Sequence, residues 1–176
     1  MEMDMEIRLA LIWLALMSPS ALADNSVDLS IRDFWIAEDK ASAARMSDIA
    51  VTAGTIVSLG HIQLEGKSWR RTGAAAATLA VNAGLNQIVK HLVGRMRPDG
   101  SENVSFYSGH SSQAAGSSGV NCAFKEGPIC YGLMANALFV GINRGRADKH
   151  WASDISVGLI EGWVAGRYGV QLTKEF

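Results

Sequence analysis

Lys90 and Arg97 stand seven positions apart, and Arg97 runs into Pro98. Ser108-Gly109-His110 follows, and then Arg144, His150 and Asp154 in the spacing Arg-x5-His-x3-Asp. These segments supply three fixed cations, two imidazoles and a carboxylate. That set suits a phosphoryl group, whose transfer depends on positioning and on stabilising charge spread over several oxygens. Arg grips phosphate oxygens as a planar fork and Lys as a point charge.

Each residue type has a place in such a site. His150 and Asp154 are four apart and hence neighbours on a helix face. There the carboxylate holds one imidazole nitrogen as N–H and leaves the other as a nucleophile. This is the orienting logic of a Ser-His-Asp triad, with the histidine itself attacking. Ser108 can cap a helix whose free amides near Gly109 and His110 face an anion, while Gly109 admits a substrate close to the backbone. His110 at that mouth can protonate a leaving oxygen. Lys90 and Arg97 differ by about 20° in azimuth if one helix carries both, and Pro98 turns the chain just beyond. The alternative for Lys90 and Arg97 is a solvated basic face shared with Arg95, while His91 reads as solvated or supporting and His61, in an apolar helix, as structural.

The elements that must position these groups read as helices. Residues 41–64, 68–95, 108–124, 129–143 and 150–167 have helical patterning or helical start and stop signals. Residues 24–40 are mixed around the apolar knot Phe34-Trp35-Ile36. Residues 99–107 and 145–149 are loops, and no strand-like alternation of any length occurs. The expected architecture is an all-α bundle of about five to six helices with the site at one end. Several apolar stretches approach the length of a membrane span, but each is interrupted by polar or charged residues such as Asn82, Asn86, Glu161 and Arg167. A soluble or membrane-peripheral bundle is the expectation.

With 176 residues the chain has the length of one domain, and with 48% hydrophobic residues it is rich enough for a real core. The net charge of -1 gives no reason to expect a nucleic-acid binder. The cations are instead local: Lys90, His91, Arg95, Arg97, Arg144, Arg146 and Lys149 crowd the motif segments, as a small anionic substrate requires. Arg8, the apolar run that follows it and Ala21-Leu22-Ala23 read as a secretory signal over residues 1–23, leaving 24–176 as the mature domain. This places the protein in the periplasm of a Gram-negative bacterium. In that oxidising compartment Cys122 and Cys130, separated by the turn-forming Lys125-Glu126-Gly127-Pro128, are expected to form a short-loop disulfide.

Together the three segments resemble the type 2 phosphatidic acid phosphatase superfamily, a clan that takes in membrane phospholipid phosphatases, bacterial acid phosphatases and vanadium haloperoxidases. Its pattern is Lys-x6-Arg-Pro, then Pro-Ser-Gly-His, then Ser-Arg-x5-His-x3-Asp. Order and spacing match here over about residues 70–170, with Tyr107 in place of the motif's proline and Asn143 in place of its serine. The resemblance implies a metal-independent phosphatase without a cofactor. By similarity, His150 attacks phosphorus to form a phosphohistidine, Asp154 orients it, and His110 serves as acid and then base. Lys90, Arg97, Ser108, Gly109 and Arg144 hold the phosphoryl oxygens. The implied substrate is a phosphorylated lipid met at the membrane surface. The alternatives are a small soluble phosphate ester, a vanadate-dependent haloperoxidase, and a non-catalytic anion-binding membrane protein.

Overall fold

The computed structural model describes residues 26–173. The signal peptide expected over residues 1–23 lies outside them. Six α-helices and a closing 3-10 turn make up the described residues: α1 (Ser26–Trp35), α2 (Lys40–Gly66), α3 (Trp69–Val93), α4 (Gly109–Phe124), α5 (Pro128–Arg146), α6 (Ala152–Gly169) and the turn Gln171–Thr173. The expected all-α bundle is what the chain forms. Residues 24–40, which read as mixed, contribute the short helix α1. No helix among the described residues is long and apolar enough to cross a membrane.

Local chemistry sets the helix ends. The Asp39 carboxylate accepts the Ser42 N–H at 2.9 Å, and the Ser68 and Ser108 hydroxyls accept the Arg71 and Ser111 amides, each satisfying an otherwise orphaned donor of a first turn. α3 stops at Val93 because Gly94 takes the left-handed conformation at φ 62°, and its N–H closes on the Lys90 carbonyl. Pro128 opens α5 at a position where no N–H is needed.

α4 is the central helix, and its Ser-, Ala- and Gly-rich sequence explains how. Nearly every residue from Ser111 to Cys122 is buried, and most are small. Gly158, Gly162 and Gly166 of α6 form a stripe at four-residue spacing that lies directly on the α4 backbone. A Cβ at Gly158 would stand 2.6 Å from the Ser108 carbonyl oxygen, and one at Gly162 would overlap the Ser112 carbonyl. Small residues in both helices therefore let two backbones meet. The hydroxyls that this burial strands find partners in α2: Ser58 Oγ donates to the Ser117 carbonyl at 2.9 Å, and Asn121 donates to the Ser58 carbonyl at 3.1 Å. Apolar packing fills the remainder, with Ile62, Ala75, Leu79, Val120 and Val170 in one cluster and Ala114, Ala115, Ala137 and Val140 in another. A disulfide joins Cys122 at the end of α4 to Cys130 in the first turn of α5.

Two loops meet at one end of the bundle, residues 94–108 between α3 and α4 and residues 147–151 between α5 and α6. α1 braces the second. Asp148, fully buried and at φ 59°, receives Arg32 at 2.7 Å and Lys40 at 2.9 Å, and the Ala37 N–H reaches the Arg146 carbonyl at 3.0 Å. The hydrogen bonds from Arg32 hold the Asp148 carboxyl below its usual range despite its burial.

Candidate active site

Five elements converge at this end. Lys90 comes from the last turn of α3, Arg97 from the loop behind it, His110 from the first turn of α4, Arg144 from the last turn of α5, and His150 from the loop leading into α6. Lys90 and Arg97 do not ride one helix, because Gly94 ends α3 between them. They still meet: Lys90, buried, is pushed down to about 8 by desolvation and then by the neighbouring charges of Arg97 and Arg144. Burial likewise lowers Arg144. Three cations that repel one another in a partly desolvated space form a cradle, with Arg97 also 3.0 Å from Glu102 and Arg144 3.4 Å from Asp48.

The imidazole of His150 is buried among them. Its Nδ1 lies 2.7 Å from the Ser105 carbonyl oxygen, which can only accept, so Nδ1 carries the proton. Nε2 is therefore a bare lone pair, and it has no hydrogen-bond partner among the described residues. Burial first, then Arg144 and Lys90, hold His150 well below its ordinary value, so it is neutral. Nε of Arg97, Nε of Arg144 and Oδ1 of Asn86 are also buried without partners. Buried polar atoms are normally paired, so each of these four is an exception.

The direct pairing of His150 with Asp154 does not occur in the structure. α6 begins at Ala152, so His150 precedes the helix and Asp154 lies in its first turn. The carboxylate turns back to accept the Trp151 N–H at 3.1 Å, the Ser105 hydroxyl at 2.5 Å and Arg95 at 2.5 Å. Three of its four acceptor sites are taken, none by His150, and it reaches His150 through Ser105. The Arg95 side chain is buried on this carboxylate, so the alternative of a solvated basic face through Arg95 does not form.

His110 points its Nε2 at Asp48 of α2, 2.9 Å away, and the same carboxylate oxygen lies 3.4 Å from Arg144. Burial and the nearby Arg144 nevertheless push His110 down to about 4. Ser108 caps α4, and its N–H is fixed on the Asp154 carbonyl at 3.0 Å. Gly109 is required by space: a Cβ there would stand 2.6 Å from Asn86 Oδ1 and 3.6 Å from Lys90 Nζ. Tyr107 is buried, its phenol pushed up by desolvation and by Glu161, while its carbonyl accepts Asn86 at 3.0 Å. Asn143 folds back on the Phe139 carbonyl of its own helix at 2.9 Å and leaves the pocket to Arg144. His61 bonds Asn121 at 2.7 Å, and His91 is exposed on the Gln87 carbonyl. The sequence reading missed Asp48, Ser105 and Asn86. Asp48 is far away in sequence on α2, and only its helical register carried any signal.

Fold and pocket together define an all-α bundle that gathers cations around a buried, neutral imidazole. The PAP2 superfamily matches residues 71–176, and the chain belongs to that superfamily. It is 32% identical over 107 residues to a lipid A 1-phosphatase of Porphyromonas gingivalis, a match over 58% of this chain and 24% of that protein. The chain thus spans about a quarter of the curated relative's length. The fold superposes with a TM-score of 0.72 on a transmembrane PAP2-type phosphatidylglycerolphosphate phosphatase from Bacillus subtilis. That similarity covers 97% of this chain and 96% of the other at 20% identity.

Proposed function

We propose that this chain is a phosphatase that hydrolyses phosphomonoesters or pyrophosphates carried on lipids, through a phosphohistidine on His150. One observation carries the reading: the His150 Nε2 lone pair, buried and unpartnered amid Lys90, Arg97 and Arg144. Nε2 attacks phosphorus as the bond to the leaving oxygen breaks, and the three cations stabilise the charge on the equatorial oxygens. His110 is neutral at rest. A phosphate dianion seated on Arg144 and Lys90 offsets their repulsion, so His110 takes up a proton with the substrate, and Asp48 at 2.9 Å stabilises the imidazolium. His110 gives that proton to the leaving alkoxide. It then accepts one from water, whose oxygen attacks phosphorus and frees His150.

Two features support a lipid as the carrier. Val81, Leu85, Ile88 and Leu92 recur at helical spacing along α3 and are all exposed, as are Leu138 and Ile142 of α5 and Ile160 and Val164 of α6. Exposed apolar side chains in these numbers favour contact with a bilayer. A groove of about 380 Å3, walled by Met134 and Leu138 of α5 and Leu159, Ile160 and Trp163 of α6, is of a size and polarity for an alkyl chain. The Cys122–Cys130 disulfide supports an oxidising compartment, and with it residence in the periplasm in association with the membrane.

The test is phosphate release by the purified chain in detergent with EDTA present. The substrates are phosphatidic acid, phosphatidylglycerol phosphate, a phosphorylated lipid A, undecaprenyl pyrophosphate and p-nitrophenyl phosphate, with His150→Ala as the control. Turnover of a lipid phosphate that His150→Ala abolishes is the expected result. No turnover of any of them, or turnover indifferent to His150→Ala, defeats the proposal.

A further inference from the structure

A buried chain of hydrogen bonds runs from α1 to the imidazole of His150. Asp28 of α1, 3% exposed, accepts Arg95 at 2.8 Å and also accepts the Ser153 N–H at 2.9 Å and the Ser153 hydroxyl at 2.5 Å. Asp28 thereby serves a donor in the first turn of α6 from a different helix. Arg95 donates from one nitrogen to Asp28 and from the other to Asp154 at 2.5 Å and to Ser153 at 2.8 Å, with its guanidinium over the Trp151 ring at 5.6 Å. The Arg95 carbonyl takes the Ser105 N–H at 2.9 Å, Asp154 takes the Ser105 hydroxyl, and the Ser105 carbonyl takes the His150 proton at 2.7 Å.

We infer that Arg95 and Asp28 are positioning residues for the nucleophile: they fix Asp154 and Ser105, and through them the tautomer and aim of His150. This rests on the phosphatase reading and extends it to two residues outside the three motif segments. Two carboxylates and one guanidinium give the cluster a net negative charge behind His150. That charge stabilises the cationic ring formed when Nε2 bonds to phosphorus. Neither residue faces the cationic cradle, so their removal leaves substrate affinity largely intact. The charged groups that face Asp154 are Arg95 from the α3–α4 loop and Lys90 from α3, with Asp28 behind Arg95 and the neutral His150 beyond Ser105.

The experiment compares Arg95→Ala, Arg95→Lys and Asp28→Asn with wild type and His150→Ala, in full-length protein, on whichever phosphate the wild type turns over. Arg95→Ala is expected to lower kcat by about 100-fold and to change KM by less than about 3-fold. Added guanidinium ion restores at least about 10-fold of that loss, by refilling the site between two carboxylates. Arg95→Lys keeps the charge without the fork and falls between, and Asp28→Asn loses about 10-fold in kcat. In Arg95→Ala the acid limb of kcat moves to higher pH, because Asp154 loses its main counter-charge. A wild-type kcat and acid limb in all three variants overturns the inference, as does a kcat loss without guanidinium rescue or a moved acid limb. If Arg95→Ala does not fold, Arg95→Lys and Asp28→Asn decide by kcat, KM and acid limb. His150→Ala separates the two claims. Its retention of activity sinks the phosphatase reading, while its inactivity beside unaltered Arg95 and Asp28 variants sinks only this one.

Discussion

Asp154 touches the support of His150 and not His150 itself: its carboxylate accepts the Ser105 hydroxyl at 2.5 Å, and the Ser105 carbonyl accepts the His150 N–H at 2.7 Å. A direct His–Asp pair sets the tautomer by itself, and its loss costs about 10⁴-fold. Here the carbonyl keeps the tautomer when the carboxylate goes. Asp154→Asn is therefore expected to lower kcat by only about 10- to 100-fold, and Ser105→Ala, which keeps the carbonyl, by less than about 10-fold. Steady-state kinetics on one substrate checks both. A 10⁴-fold loss in Asp154→Asn would restore the direct pair.

Lys90 gives the pocket a basic limit. It titrates at about 8 against an ordinary 10.5, so above about 8 the cradle loses one of its cations. Affinity for vanadate or inorganic phosphate is expected to fall as pH rises through that value and to hold further in Lys90→Arg. The unfolded chain keeps this proton up to 10.5, so it binds more protons than the folded chain through that window, and stability rises with pH there. Bound phosphate flattens the rise. Inhibition constants and denaturation midpoints measured across the window test both statements.

The histidines make the empty site acid-sensitive. His110, pushed down to about 4, and His150, lowered well below 6.5, are neutral when folded and take protons at about 6.5 when unfolded. Their contribution is fully present above 6.5 and is lost as pH falls towards the folded value. Denaturant midpoints are expected to drop across this interval, less steeply in His110→Gln and less steeply with phosphate bound. Identical slopes in wild type and His110→Gln would remove His110 from the account.

The disulfide ties α4 to α5 far from the cradle. Replacing Cys122 and Cys130 by serine is expected to cost about 2–3 kcal/mol, the figure for so short a closed loop. KM and kcat at moderate temperature stay within about 2-fold, since distant sites act independently. Thermal melts with and without reductant, paired with an assay, check this.

What the sequence disclosed and what it withheld divide along a physical line. Helix periods, Ser and Pro at helix starts and glycine at their ends located α2 to α6 within a few residues, because these signals are local. The cations and imidazoles were legible because their spacing alone identifies them. Asp48, Ser105 and the partners of Arg95 were not. Each joins the site through contacts between residues about 45 to 125 positions apart, which no local pattern encodes. α1 was hidden for the same reason: Asp28 and Arg32 tie it to α6 and Asp148. A solvated face through Arg95 does not form because two carboxylates from other helices cover it.

The glycine stripe of α6 bears on selectivity. His110 rides the first turn of α4, and His150 sits on the lead into α6. Gly158, Gly162 and Gly166 press these two helices together backbone to backbone. The spacing between His110 and His150 is therefore gauged by main-chain atoms, which cannot swing aside as side chains do. Such a jaw has one opening width. Discrimination among carriers is left to the rim and the apolar flank, where sequence can drift without disturbing the bite.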